Sequence, residues 1–308
     1  MKFELTILGT NAAVQYRNRY LAGQVLNIQD DLFLIDCGEG TQFRMAECQV
    51  KKMKIDHIFI SHLHGDHFYG LFGLLTSLAM NGRKKVMNIY SPKGLEEIVN
   101  VLFRHSNYIS PFPVRFHEVD TEGGNHIIFE DKKLTINAFP LTHRIPTVGY
   151  LFKEKTMQRT ILVEKIKEYN IPFSKIKDIK NGENFMNTEG ALILNSELTL
   201  PPPEPRSFAY CSDTMYFEDI IPYIQGIDLL YHEATFAHDM VEQAAKTGHS
   251  TAYQAGLIAQ KAEVGQLIIG HYSSRYDNLE PLLAEAKTAF DNTVLGVDGK
   301  TYSVELKR

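Results

Sequence analysis

A chain of 308 residues with 44% hydrophobic and 22% charged residues, 21 Gly and 12 Pro is long enough to bury a large core, and its composition is neither disordered, collagen-like nor that of a membrane protein. The net charge of −5 excludes a uniformly basic surface and with it the simplest kind of nucleic-acid binder. Cys37, Cys48 and Cys211 form neither a disulfide framework nor a CxxC knuckle, Glu4 interrupts any leader-like start and no run reaches ~18 apolar residues, so the expectation is a cytoplasmic chain without membrane association.

Apolar alternation predicts strands over 3–8, 24–28 and 32–36, a helix over 41–49, a strand over 57–60 and a helix over 66–80. A strand at 86–90, a helix at 94–106 and strands at 114–119, 126–129 and 133–139 follow. A helix is predicted over 160–169, and then strands 207–212, 228–233, 266–271 and 301–306 alternate with helices 238–246, 251–262 and 279–290. Paired strands first and alternating elements later predict an α/β chain in which two mixed sheets pack together with helices outside, a four-layer αββα sandwich.

Charge is not spread evenly. From Lys153 to Lys180 eight basic residues face four acidic ones, a local +4 that leaves −9 on the rest of the chain. A long polar excursion between two strands reads as an inserted arm over 153–190 in an otherwise single domain, 1–308. The plain alternative is a solvated charged helix.

The densest signal is S-H-L-H-G-D-H at 61–67, between a predicted strand and a predicted helix. His62 and His64 lie two apart in extended chain and face the same side, so both can grip one ion. Asp66 and His67 open the helix and can turn toward a second ion. A lone histidine is more often structural and Asp66 is an acceptable N-cap, but four donors in six residues outweigh both readings.

Four ligands cannot close two sites, and His143, Asp213 and His271 each stand just past a predicted strand. The expected ligand sets are His62, His64, His143 and Asp213 for one ion, and Asp66, His67, His271 and Asp213 for the other. These donors suit two Zn²⁺, and Mn²⁺ or Fe²⁺ fit them as well. Two such ions activate water against an ester, which defines a reaction type rather than a substrate. His249, in T-G-H-S-T, is the candidate proton donor unless it merely precedes a helix capped by Ser250 or Thr251. Glu233, in H-E-A-T, is placed to orient a neighbouring histidine.

Together with that loop, L-G-T (8–10), P-L-T-H-R-I-P-T-V-G-Y (140–150), S-D-T (212–214), H-E-A-T (232–235), H-S-T (249–251) and H-Y-S-S-R-Y (271–276) resemble the short-form ribonuclease Z family of the metallo-β-lactamase superfamily, from Phe3 to about Arg275. The resemblance implies the metallo-β-lactamase sandwich with an inserted flexible arm. It also implies a zinc-dependent endoribonuclease that removes the 3′ trailer of precursor tRNA just 3′ of the discriminator nucleotide, leaving a 3′-hydroxyl and a 5′-phosphate. In that family's terms Asp66 also activates the attacking water, His249 donates the proton, and Ser273 and Arg275 lie beside the scissile phosphate. The arm becomes a tRNA exosite, with Lys165, Lys167, Lys175 and Lys177 as its contacts, and the chain a homodimer. The arm lacks the Gly-Pro pair common in the family, and Asn11 stands where L-G-T-G is common. Two other readings compete: a hydrolase of the same fold acting on small phosphodiesters or thioesters, and a non-catalytic RNA- or metal-binding protein.

Overall fold

The structure, a computed structural model, describes residues 1–307. β1 (Phe3–Gly9), β2 (Gly23–Ile28) and β3 (Asp31–Cys37) pair antiparallel. Gln29 and Asp30, with φ of 50° and 71°, form the two-residue turn whose twist matches the strands it joins. Helices then alternate with strands and the pairing turns parallel, through α1 (Thr41–Glu47), β4 (Ile55–Phe59), α2 (Gly65–Phe68), α3 (Gly70–Met80), β5 (Met87–Ser91), α4 (Leu95–His105) and β6 (Val114–Glu118).

The second sheet repeats this plan. β7 (His126–Glu130), β8 (Leu134–Leu141) and β9 (Thr147–Glu154) are antiparallel. An excursion follows, holding β10 (Thr160–Ile161), α5 (Val163–Glu168), α6 (Phe173–Lys180), β11 (Phe185–Met186), β12 (Leu192–Ile193), α7 (Asn195–Leu198) and β13 (Thr199–Leu200). The chain returns in β14 (Ser207–Cys211), α8 (Ile221–Ile224), β15 (Leu229–Glu233), α9 (Val241–Thr247), α10 (Ala252–Lys261), β16 (Gln266–Gly270), α11 (Glu280–Ala289) and β17 (Thr293–Leu295). β18 (Thr301–Ser303) crosses back to pair with β1, so the sheet orders are β18-β1-β2-β3-β4-β5-β6 and β17-β16-β15-β14-β9-β8-β7.

Burial explains the four layers. Phe3, Leu5, Ile35, Phe59, Phe152, Phe208 and Tyr210 fill the space between the sheets. On β14 the alternate residues Ala209 and Cys211 face outward into a second apolar layer shared with α10 and α11, and a third lies under α1, α3 and α4. Both faces of each sheet are therefore covered, as its parallel half requires. No helix among the described residues is long and apolar enough to cross a membrane, and the three cysteines are free thiols.

Several predicted boundaries change. The last strand stops at Ser303 rather than 306, because β1 begins at Phe3 and its carbonyl takes the final bond, from Val304 N. The helix predicted over 160–169 starts only at Val163, since Thr160 and Ile161 pair with Leu200 and Thr199. That pairing also moves the arm expected over 153–190. Lys153 and Glu154 belong to β9, and the excursion closes at Leu200. It has a core of its own, Ile171, Ile179, Phe185 and Leu198, supported by a buried Asn195 whose amide donates to Ile179 O and Glu183 O.

Candidate metal centre and active site

Every ligand expected from the sequence arrives at one end of the sandwich, just beyond a strand. His62 and His64 leave β4, Asp66 and His67 open α2, His143 follows β8, Asp213 follows β14 and His271 follows β16. Asp213 and His271 adopt left-handed backbone conformations, φ 57° and 56°, that turn each side chain out of its sheet. Such conformations are costly for residues with a Cβ and persist where the surroundings fix them.

Asp213 is the hub. Its Oδ1 lies 3.2 Å from His67 Nε2 and 3.0 Å from His271 Nε2, while its Oδ2 lies 3.4 Å from His62 Nε2 and 3.7 Å from His143 Nε2. His64 Nδ1 completes the second group, 3.0 Å from His62 Nε2 and 3.3 Å from His143 Nε2. Asp66 Oδ2 completes the first, 3.6 Å from His67 Nε2 and 3.8 Å from His271 Nε2. Within each of the sets His62, His64, His143, Asp213 and Asp66, His67, His271, the donor atoms lie within 4.8 Å of one another.

The opposite ring nitrogens fix the tautomers. His67 Nδ1 donates to Asp36 Oδ2 at 2.7 Å, His143 Nδ1 to Gly248 O at 2.6 Å, His62 Nδ1 to Ser61 Oγ at 3.0 Å and His271 Nδ1 to Thr235 Oγ1 at 3.0 Å. Each Nε2 is thereby left as a lone pair facing the others, an arrangement that calls for cations between them. Protonation states agree with that need. Burial and the neighbouring His62 pull His64 down to about 4, and burial pulls His143 to about 4 despite Asp213. Asp66 and Asp213 stay ionised, because the facing imidazoles outweigh a burial that works against charge. His67 is the exception: burial opposes its charge, but Asp213, Asp36 and Asp66 raise it. The donor set fits divalent-cation binding.

Around this cluster the motifs divide their labour. In H-S-T, Thr251 caps α10 in a capping box with Gln254, Ser250 Oγ donates to Thr214 O at 2.7 Å, and His249 is left to face the centre. Gly248 needs to be glycine on two counts: its φ is 80°, and a Cβ there would come 2.7 Å from His143 Nδ1. His249 Nδ1 donates to Glu233 Oε1 at 2.9 Å, and the same carboxylate accepts from Thr214 N and Thr235 Oγ1. Burial disfavours a charged His249, yet Glu233 outweighs it and pushes the pKa up to about 9. Asp213 and His271 lie near His249, and the three offer ligand atoms within 4.8 Å of one another.

Sequence reasoning missed Asp36. It is buried at the end of β3, and it accepts from Ser61 N and Oγ at 2.7 and 2.9 Å and from Tyr210 OH at 2.7 Å, besides His67. The available signal was a lone carboxylate closing the apolar run L-F-L-I-D. Also missed were Arg144, Glu39 and Tyr69, which line a cavity of about 440 Å³ over Asp66, Asp213, His249 and His271. Ala13 N donates to Asp66 Oδ2 at 2.8 Å from the same rim. Ser273 and Arg275 are not among the residues lining this cavity. Arg275 donates to Ser273 Oγ at 3.1 Å, and its guanidinium lies over the Phe236 ring, 4.9 Å from the centroid. On the arm, Lys165 is ion-paired with Glu168 and Lys175 with Asp178, whereas Lys167 and Lys177 are exposed.

Comparison with known proteins gives this geometry a family. A family profile described as Anti-Pycsar protein Apyc1 matches residues 3–157, the half that carries the histidine loop and His143. Ribonuclease Z of Bacteroides fragilis is 42% identical over 303 residues, covering 98% of this chain and 99% of that protein, and ribonuclease Z of Parabacteroides distasonis is 43% identical with the same coverage. The chain belongs to the ribonuclease Z family. The crystal structure of human tRNase Z, short form, superposes with a TM-score of 0.71 at 25% identity, covering 98% of this chain and 99% of that one. The Bacillus subtilis metallo-β-lactamase fold protein YhfI, at TM-score 0.69 and 19% identity over 99% of this chain and 100% of that one, shares the fold. As a ribonuclease Z the chain is a hydrolytic, metal-dependent endoribonuclease of tRNA 3′ processing, and its sandwich is the metallo-β-lactamase fold.

Proposed function

We propose that the centre holds two Zn²⁺, one on His62, His64 and His143, the other on Asp66, His67 and His271, with Asp213 bridging. The observation that carries this is the Asp213 carboxylate, one oxygen of which faces each histidine group. When bound, the pair supplies a water of lowered pKa and positive charge for the phosphate. Asp66, held from the rim by the Ala13 amide, accepts the water's proton. His249, charged through its bond to Glu233, gives its proton to the departing 3′ oxygen of the tRNA. Arg144, at the cavity wall, matches a phosphate oxygen. The cut then falls just 3′ of the discriminator nucleotide and leaves the phosphate on the trailer.

The arm is the tRNA exosite in this reading, 160–200 forming one unit appended to the single catalytic domain, in which five lysines are clustered over 165–180 among six carboxylates spread over 164–197, and Arg275, outside the cavity, meets a more distant phosphate. The enzyme works in the cytoplasm as a homodimer. A second reading is hydrolysis of small phosphodiesters, which would need only the cavity over Asp66 and His249 and no arm. The deciding experiment incubates the zinc-loaded protein with a precursor tRNA carrying a 3′ trailer and maps the product ends. A single cut after the discriminator is expected. Turnover of bis(p-nitrophenyl) phosphate without cleavage of the precursor overturns the reading in favour of the second.

A further inference from the structure

The cavity above the metal centre has two unlike walls. Loops of the second sheet bring Arg144 and His249, and loops of the first bring Glu39 and Tyr69. Tyr69 is 60% exposed, yet its ring is fixed. It lies on the backbone of Gly65, where a Cβ would come 2.3 Å from Tyr69 Cε2, and it meets the Phe68 ring edge-on with centroids 5.0 Å apart. Close approach also fixes its neighbour. A Cβ on Gly70 would fall 2.1 Å from Gly38 O, so the turn after β3 is pressed against the junction of α2 and α3, and Glu39 stands in the same wall as Tyr69.

The charges assign the walls. Arg144 attracts phosphate, and Glu39 repels it, so the occupant of the Tyr69 wall is an uncharged part of the substrate. An exposed aromatic ring held in place beside a phosphodiester centre offers a face on which any base can stack. We propose that Tyr69 and Glu39 form a nucleobase subsite, in which the base of the first trailer nucleotide stacks on the Tyr69 ring while Glu39 keeps that wall free of phosphate. The inference rests on the reading given under Proposed function. With the departing 3′ oxygen held at His249 on one wall, the nucleotide that keeps the phosphate is directed to the other.

The test compares two esters that differ in the presence of a nucleoside, thymidine 5′-(p-nitrophenyl phosphate) and methyl p-nitrophenyl phosphate, with the zinc-loaded full chain. The wild type favours the nucleoside ester. Tyr69→Ala lowers the ratio of the two kcat/KM values about tenfold, equivalent to about 1.4 kcal/mol, and Tyr69→Phe keeps the ratio within about twofold. On precursor tRNA, an abasic first trailer nucleotide lowers kcat/KM of the wild type by about the same factor and costs Tyr69→Ala nothing further. Equal losses on both esters, a ratio unmoved by Tyr69→Ala, or equal abasic penalties in the two proteins overturns the subsite. Turnover of methyl p-nitrophenyl phosphate with no nucleoside preference overturns the subsite alone, whereas a wild type that turns over neither ester overturns the hydrolase reading beneath it.

Discussion

Asp36 holds the metal centre without touching it. Its carboxylate is wholly buried, and the bond from His67 Nδ1 leaves the opposite nitrogen free for a cation. Asp36→Asn keeps the shape but turns an amide donor toward other donors, so metal affinity, measured by chelator competition, is expected to fall roughly 10–100-fold. In the proposed mechanism His249 acts later, on the departing oxygen. His249→Ala is expected to slow RNA cleavage by about 10²–10⁴-fold, while p-nitrophenyl esters, whose phenolate leaves without a proton, lose far less in parallel rate measurements. Equal losses on both substrates would assign His249 a structural role. The seven side chains that meet around Asp213 were legible in the sequence because each combines a metal-competent group with a position just past an apolar strand. Asp36 shares that position, but its partners Ser61, His67 and Tyr210 stand 25, 31 and 174 residues away, the last in the other sheet. Tyr69 and Glu39 gain their setting only from the crowding at Gly38, Gly65 and Gly70, which carries no pattern along the chain.

Among the elements, the arm and its root behave differently. The charge imbalance covers 153–180, whereas pairing of Thr160–Ile161 with Thr199–Leu200 bounds the excursion at 160–200, and two-residue strands are too short to produce a periodic signal. Neutralising Lys165, Lys167, Lys175 and Lys177 is expected to weaken precursor-tRNA binding and to flatten its log–log salt dependence by roughly one unit for each phosphate no longer neutralised, while small-ester turnover persists. Lys167 and Lys177 carry most of the effect, since the other two already neutralise Glu168 and Asp178. At the root, Glu154 at the end of β9 accepts from Arg206 Nε and Nη2, each at 2.9 Å, and from Gln29 Nε2 at 2.8 Å. Arg206 Nη1 in turn donates to Met1 O and Val304 O, which ties the arm's base to both chain ends. Burial pushes the Glu154 carboxyl up, but Arg206 and Gln29 together hold it below the ordinary range. Its contribution to stability is therefore complete above the ordinary Glu pKa of about 4.3 and is lost as pH falls through the depressed folded value. Glu154→Gln removes that acid dependence and is expected to cost about 3–5 kcal/mol in denaturant titrations at neutral pH, because Arg206 is left buried and unpaired.

For the molecule as a whole, the layered fold was legible because runs such as F-A-Y-C are apolar at every position, which favours a sheet covered on both faces. Its cohesion at the metal end is another matter, because there the two sheets meet through imidazoles and carboxylates. Dialysis against a chelator is expected to lower the midpoint of thermal unfolding and zinc to restore it, by a margin that grows with free zinc concentration, as calorimetry across a zinc series will record. A midpoint independent of zinc would mean that the apolar layers alone hold that end. His67 and His271, whose Nε2 atoms lie 3.3 Å apart, are separated by 204 residues, and β1 waits for β18 as its outer neighbour. A chain holding the histidine loop and Asp213 but lacking His271 would thus leave the cluster one donor short. The cluster is a meeting of distant stretches of chain, and it closes only after most of the fold around it has been made.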